Sequence, residues 1–257
     1  MAKVISIHSF RGGTGKSNIT ANLAVTIARQ GHRVGIIDTD IQSPGIHVLF
    51  GLDEEKIDRA LNDYLWGRCA IQETAYDVSP LLKFEQGEVA VMSGSFYLIP
   101  SSIKAGEIAR VLKEGYDVGM LNDGFRDLVD RLKLDFLFID THPGLNEETL
   151  LSIAISDVLL IILRPDRQDF QGTAVTVDVA RKLDVPKLWL VVNKALLSLD
   201  YNALQQEVET TYQAPVAGIL PLNEEMVRLA SSDIFCLRFP NHLFTQRIRE
   251  IATKVIS

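Results

Sequence analysis

Val4-Ile5-Ser6-Ile7-His8-Ser9-Phe10-Arg11-Gly12-Gly13-Thr14-Gly15-Lys16-Ser17 decides the reading of this chain. The run Val4–His8 has strand character, and Asn18–Gln30 beyond the glycines has helix character. A Gly-rich turn between strand and helix lets backbone N–H groups converge on phosphate oxygens, with the positive end of the helix dipole behind them. In such a loop Lys16 reaches the outer phosphates and Ser17 offers its hydroxyl to Mg²⁺. Phe10 stands where the general phosphate-loop pattern has its first glycine, and Arg11 is the unusual residue inside the loop.

Outward from the loop, short strand-like runs alternate with helix-like ones: Val34–Asp38, Phe96–Pro100, Phe136–Asp140, Val158–Leu163, Leu188–Val192 and Val216–Leu220. This alternation predicts an α/β fold, a doubly wound and mostly parallel sheet with helices on both faces. Phe136–Ile139 is apolar at every position, as a central strand buried on both faces requires. Ligand binding is expected at the carboxyl ends of the strands. Lys56–Leu65 is expected to be helical and Glu88–Met92 to form a short extra strand. Ile108, Val111 and Leu112 share one face of a helix over Ala105–Lys113, and Leu121, Phe125, Leu128, Val129 and Leu132 share one over Met120–Leu132. With no repeat, low-complexity tract or linker to divide it, the chain reads as one domain over residues 1–257.

Apolar residues make up 47% of the 257 and charged residues 23%, the balance of a soluble globular protein. The most apolar run, Val158–Leu163, is too short to span a membrane. The N-terminus reads as a core strand and not as a signal peptide. Cys69 and Cys236 stand in no metal-binding spacing, so buried thiols in a reducing cytoplasm are expected. A net charge of −7 argues against a broadly basic nucleic-acid-binding surface.

Three carboxylates join the loop. Val34–Asp38 ends in Asp38-Thr39-Asp40, and Phe136–Asp140 runs into Thr141-His142-Pro143-Gly144, which has the form of a Walker B strand followed by a switch loop. On these segments the chain resembles the ParA/MinD family of deviant Walker A ATPases, over nearly its whole length. Val191–Lys194 and Gly218–Pro221 resemble the family's adenine-contacting strand ends, and Phe239–Asn241 with Gln246–Val255 its last loop and helix.

The resemblance implies a role for each matching position. Gly12, Gly13, Thr14, Gly15, Lys16, Ser17 and Asn18 would hold the nucleotide, and Lys16 would bind its β- and γ-phosphates. Ser17 would bind Mg²⁺, and Asp38 and Asp140 would hold the metal's water shell. Asp40 would orient the attacking water, Gly144 would sense the γ-phosphate, Asn193 would recognise adenine and Pro221 would line the base pocket. Arg11 occupies the place of the family's signature lysine, which crosses an ATP-sandwiched dimer. Arginine keeps the charge and adds a planar fork of donors. Two readings stand for it: an arginine acting in trans on a partner's nucleotide, or a side chain held in solvent or in an intramolecular salt bridge.

The implied protein is a cytoplasmic, Mg²⁺-dependent ATPase that dimerises around ATP, turns over slowly and positions a cargo with the help of an activating or adaptor protein. The alternative is a hydrolysis-impaired, nucleotide-responsive scaffold. A tyrosine kinase or a metal-cluster carrier on the same fold is disfavoured by the lack of a Tyr-rich tail and of paired cysteines. Resemblance to ParA makes non-specific DNA a candidate partner, through Arg228, Arg238, Arg247 and Arg249. Phe244, Ile248, Ile251 and Val255 form a helical stripe read as a final core helix and not an anchor, so direct membrane binding is not expected. His142, Gln42 and Glu147 read as local polar residues.

Overall fold

Eight strands, joined mostly through helices, form one sheet in this computed structural model, which describes residues 2–82 and 94–257. The strands are β1 (Lys3–His8), β2 (Val34–Asp38), β3 (Tyr76–Asp77), β4 (Phe96–Ile99), β5 (Phe136–Asp140), β6 (Val158–Leu163), β7 (Lys187–Ala195) and β8 (Val216–Pro221), in the order β3-β4-β2-β5-β1-β6-β7-β8. All neighbours are parallel except the edge pair β3–β4. β2, β5 and β6 are buried along their whole length, which explains sequences with no polar alternation.

The helices are α1 (Lys16–Ala28), α2 (Leu61–Leu65), α3 (Ala105–Glu114), α4 (Gly119–Leu132), α5 (Glu147–Ala154), α6 (Arg167–Lys182), α7 (Tyr201–Tyr212), α8 (Glu224–Leu229), α9 (Phe235–Arg238) and α10 (Leu243–Ile256). One face of the sheet packs Ile5, Ile7, Phe138 and Leu160 against α1, α9 and α10. The other packs Leu159 and Ile161 against α6 and α7, and Ile37, Leu137 and Ile139 against α4. Each such side chain contributes about 1.5–3 kcal/mol on leaving water.

Among the described residues the predicted strands form within one residue of their expected ends, except that β7 runs three residues further, to Ala195. Two expectations are corrected, and one strand was not foreseen. Only Leu61–Leu65 of the expected Lys56–Leu65 helix is helical, because Lys56 closes a turn onto Asp53, where its backbone N–H donates at 3.1 Å to the carbonyl and at 3.1 Å to the carboxylate. Leu112 is 62% exposed, so only Val111 of the α3 trio is fully buried. The two-residue strand β3 gives too short a signal to read in sequence. The expected strand Glu88–Met92 lies outside the described residues. Phe244, Ile248, Ile251 and Val255 are all buried, which makes α10 a core helix. Among the described residues no helix is long and apolar enough to cross a membrane.

Candidate functional site: a phosphate loop beside three carboxylates

The loop between β1 and α1 is built to leave its donors free. Among the described residues, no backbone N–H from Arg11 to Asn18 finds an acceptor within the chain, and the first helical bond is Ile19 N–H to the Gly15 carbonyl at 3.0 Å. A helix start normally fills such donors with a cap or a ligand, and Gly15 at the cap position has no side chain to do so. Gly15 is required there: its φ is +94°, and a Cβ would come within 2.5 Å of the Asn193 amide nitrogen. The loop is pinned from β7, where Asn193 Nδ2 donates to the Thr14 carbonyl at 2.7 Å and Lys194 Nζ to the Gly13 carbonyl at 2.7 Å.

Parallel register does the rest. Asp38 on β2 stands opposite Asp140 on β5, and Asp140 pairs across with Ile7 on β1, so the carboxyl ends of three central strands meet at the loop. Asp38 is fully buried, accepting from Asp40 N–H at 3.0 Å and Gly45 N–H at 3.3 Å. Asp140 is 1% exposed and accepts from the Thr20 hydroxyl at 3.1 Å. Asp40 accepts from Ser43 N–H at 3.0 Å, and His142 Nε2 lies 3.9 Å from its carboxylate. Gly144 N–H donates to the Ser9 carbonyl at 3.2 Å, which ties the switch segment to the loop.

These carboxylates crowd one another. Burial, and then Asp140 and Asp40, push the Asp38 carboxyl well above the usual range. Burial also raises Asp140, against the opposing pull of Lys16, Ser17 and Thr20, and raises Asp40 against His142 and Lys16. Lys16 is 8% exposed and has no ion pair among the described residues. A hard oxygen donor set under mutual repulsion suits Mg²⁺. Among the described residues no three His, Cys, Asp or Glu side chains converge tightly enough to hold a metal unaided, so a cation here would draw on water and phosphate oxygens as well.

Beside Asn193 a cavity of about 160 Å³ opens between the loop and β8, lined by Gly15, Asn18, Asn193, Pro221, Met226 and Phe244. The structure therefore brings Asn193 and Pro221 to the loop.

Arg11 pairs within its own chain, its guanidinium donating to the Gln168 side-chain amide oxygen Oε1 and lying 3.6 Å from Asp169 in the first turn of α6. Asp169 is 2% exposed and also accepts from Arg164 Nε at 2.9 Å, so the pair is anchored. Phe10 presses on the same helix at Gly172, where any side chain would run into its ring. Of the four candidate phosphate-contacting arginines, Arg228 pairs with Glu224 at 3.2 Å and Arg247 with Glu250 at 2.8 Å. Gln42 and Glu147 are exposed.

Sequence reading missed His8. It is fully buried at the end of β1, with Nδ1 2.8 Å from the Thr141 hydroxyl. That hydroxyl donates to the Ile7 carbonyl at 3.0 Å, so it accepts from His8 Nδ1–H and leaves Nε2 without a partner. Burial, then Lys16 and His142, push its pKa down to about 3. Its place next to the loop was the signal, but nothing in a strand sequence distinguishes a histidine packed at the site from one facing solvent. Lys194 had a plainer signal, since it directly follows Asn193.

A donor-lined loop, an isolated lysine and carboxylates at neighbouring parallel strand ends together define a P-loop NTPase. More particularly, the chain belongs to the ParA family: the family model described as NUBPL iron-transfer P-loop NTPase matches residues 1–256. An ATP-binding protein of Methanocaldococcus jannaschii with no assigned function is 28% identical over 258 residues, covering 100% of this chain and 88% of that protein. The flagellum site-determining protein YlxH of Helicobacter pylori is 26% identical over 264 residues, with 99% and 82% covered. An iron-sulfur cluster carrier protein of Clostridium perfringens is 27% identical over 233 residues, with 87% and 77% covered. Among solved structures, the Mg-ADP complex of the septum site-determining protein MinD from Pyrococcus horikoshii superposes with a TM-score of 0.78 at 20% identity, covering 99% of this chain and 96% of that one, which supports the shared fold.

Proposed function

We propose that this protein is a Mg²⁺-dependent ATPase that closes into a dimer around ATP and uses the nucleotide cycle to position a cellular cargo. The observation that carries the reading is the run of N–H donors from Arg11 to Asn18, unpaired among the described residues, at the end of the sheet where β2 and β5 carry Asp38, Asp40 and Asp140. The loop N–H groups and Lys16 bind the phosphates, and the cavity at Asn193 and Pro221 receives the base. Held by Ser17 and by the water shell on Asp38 and Asp140, Mg²⁺ would neutralise charge building on the transferred phosphoryl group. Asp40, half-buried and raised in pKa, orients the attacking water. Gly144 exchanges its bond to Ser9 for one to the γ-phosphate, which couples nucleotide state to the switch segment. Cargo positioning draws support from the Helicobacter pylori relative, a flagellum site-determining protein.

The anchored pairing of Arg11 with Gln168 and Asp169 favours a second reading, a scaffold that binds ATP and does not hydrolyse it. Single-turnover hydrolysis by wild type and Arg11→Lys separates the two. Slow hydrolysis in wild type is expected; tight ATP binding with none in either protein makes it a scaffold. Cluster carriage is the other activity that the relatives' names raise. Cys69 and Cys236, the chain's two cysteines, serve it poorly: Cys69 sits beside Arg59 beyond α2, and Cys236 is buried in α9 against α1 and α10.

A further inference from the structure

At the end of α1 remote from the phosphate loop, the last turn of that helix and the α9–α10 pair enclose a cleft of about 350 Å³. Arg29 in its wall follows Lys16 by thirteen positions, about 20 Å at 1.5 Å per residue. Arg29 and Gln30 reach it from α1 and Arg249 from α10, and buried Thr26, Thr245 and Cys236 lie between them.

Arg29 and Arg249 are exposed, and neither has an acidic partner among the described residues, whereas Arg247, two residues before Arg249, is held by Glu250. Both side chains line the same cleft as the buried Cys236, one from the end of α1 and the other from α10. An arginine at a helix C-terminus offsets the dipole there, which accounts for Arg29 and leaves Arg249, in the middle of α10, unexplained. The Thr26 and Thr245 hydroxyls donate inward, at 2.7 Å to the Asn22 carbonyl and at 2.7 Å to the Phe239 carbonyl. Both hydroxyls also bond the Cys236 thiol, which leaves the two guanidinium forks and the Gln30 amide as the groups the cleft offers a ligand.

We propose that this cleft binds a small phosphomonoester, its phosphate gripped between Arg29 and Arg249. Two forks arriving from different elements match the several oxygens of a tetrahedral group, whereas a carboxylate has only two oxygens and is satisfied by one fork. The volume is more than a phosphate ion fills, and the Gln30 amide lines the remainder, where it can meet a hydroxyl on the ester's body.

The test follows phenylglyoxal modification of Arg29 and Arg249 by peptide mass spectrometry, in wild type and in Lys16→Ala, where phosphate binding at the nucleotide site is weakened. Glycerol 3-phosphate should slow modification at both arginines in both proteins, and more than inorganic phosphate does. In calorimetry the Arg29→Gln/Arg249→Gln double variant should bind glycerol 3-phosphate about tenfold or more weakly, with ATP binding unchanged. The proposal is overturned if sodium chloride at matched ionic strength protects equally, if inorganic phosphate protects as well as the ester, if duplex DNA alone protects, or if the double variant binds the ester as wild type does.

Discussion

Lys16 enters the site as a nearly buried ammonium with no carboxylate of its own, so its removal is felt first by the phosphates. Lys16→Ala should weaken ATP binding by about a hundredfold, the equivalent of about 3 kcal/mol, in equilibrium titration with a fluorescent nucleotide. Asp40→Asn tests the water-orienting role: the single-turnover rate should fall by about 10²-fold or more, with ATP affinity within a few-fold of wild type. A loss of affinity equal to the loss of rate would assign Asp40 to binding instead. His8 makes a prediction of the opposite kind, about stability. Its folded pKa is about 3 against 6.5 for a free histidine, so between those values the unfolded chain binds the extra proton and stability falls as pH falls. Wild type should lose about 2 kcal/mol between pH 6.5 and pH 5 from this group alone, and His8→Gln should show a correspondingly shallower dependence in urea unfolding. Residues in the loop and at the strand ends were legible because the chemistry demands their types at those spacings. His8 was not, because its environment is made by Thr141, 133 residues away in sequence.

At the scale of elements, α6 is the part that periodicity described least and the loop depends on most. Phe10 and Arg11 both lean on its first turns, at Gly172 and at Gln168 with Asp169. Gly172→Val should displace the Phe10 ring and cost about 1–3 kcal/mol, read as a lower midpoint in urea unfolding. Unchanged stability would mean that the loop does not lean on α6. The strands were readable in advance because a parallel sheet covered on both faces needs unbroken apolar runs, and β2, β5 and β6 supply them without turn residues inside. The stretch before α2 was misread because Asp53 and Lys56 close a turn that looks like the start of a helix. α10 shows the limit of an amphipathic stripe as a signal: Phe244, Ile248, Ile251 and Val255 would suit a membrane surface, but here they meet β8 and α1.

For the whole molecule, the central claim is that nucleotide state governs association. Every part of the proposed switch lies at the carboxyl edge of the sheet, where the loop, Asp40 and Gly144 lie beside one another. Arg11 is held there by its own chain, and acting in trans requires it to leave Gln168 and Asp169 for a partner's phosphates. Sedimentation velocity with Mg-ATP, with Mg-ADP and without nucleotide, on wild type, Lys16→Ala and Arg11→Ala, reads this directly. The account predicts a wild-type dimer with ATP only, a monomer in the other two conditions, monomers throughout for Lys16→Ala, and a weakened ATP-dependent dimer for Arg11→Ala. A wild-type protein that stays monomeric at saturating ATP, or holds one oligomeric state whatever the nucleotide, would contradict it.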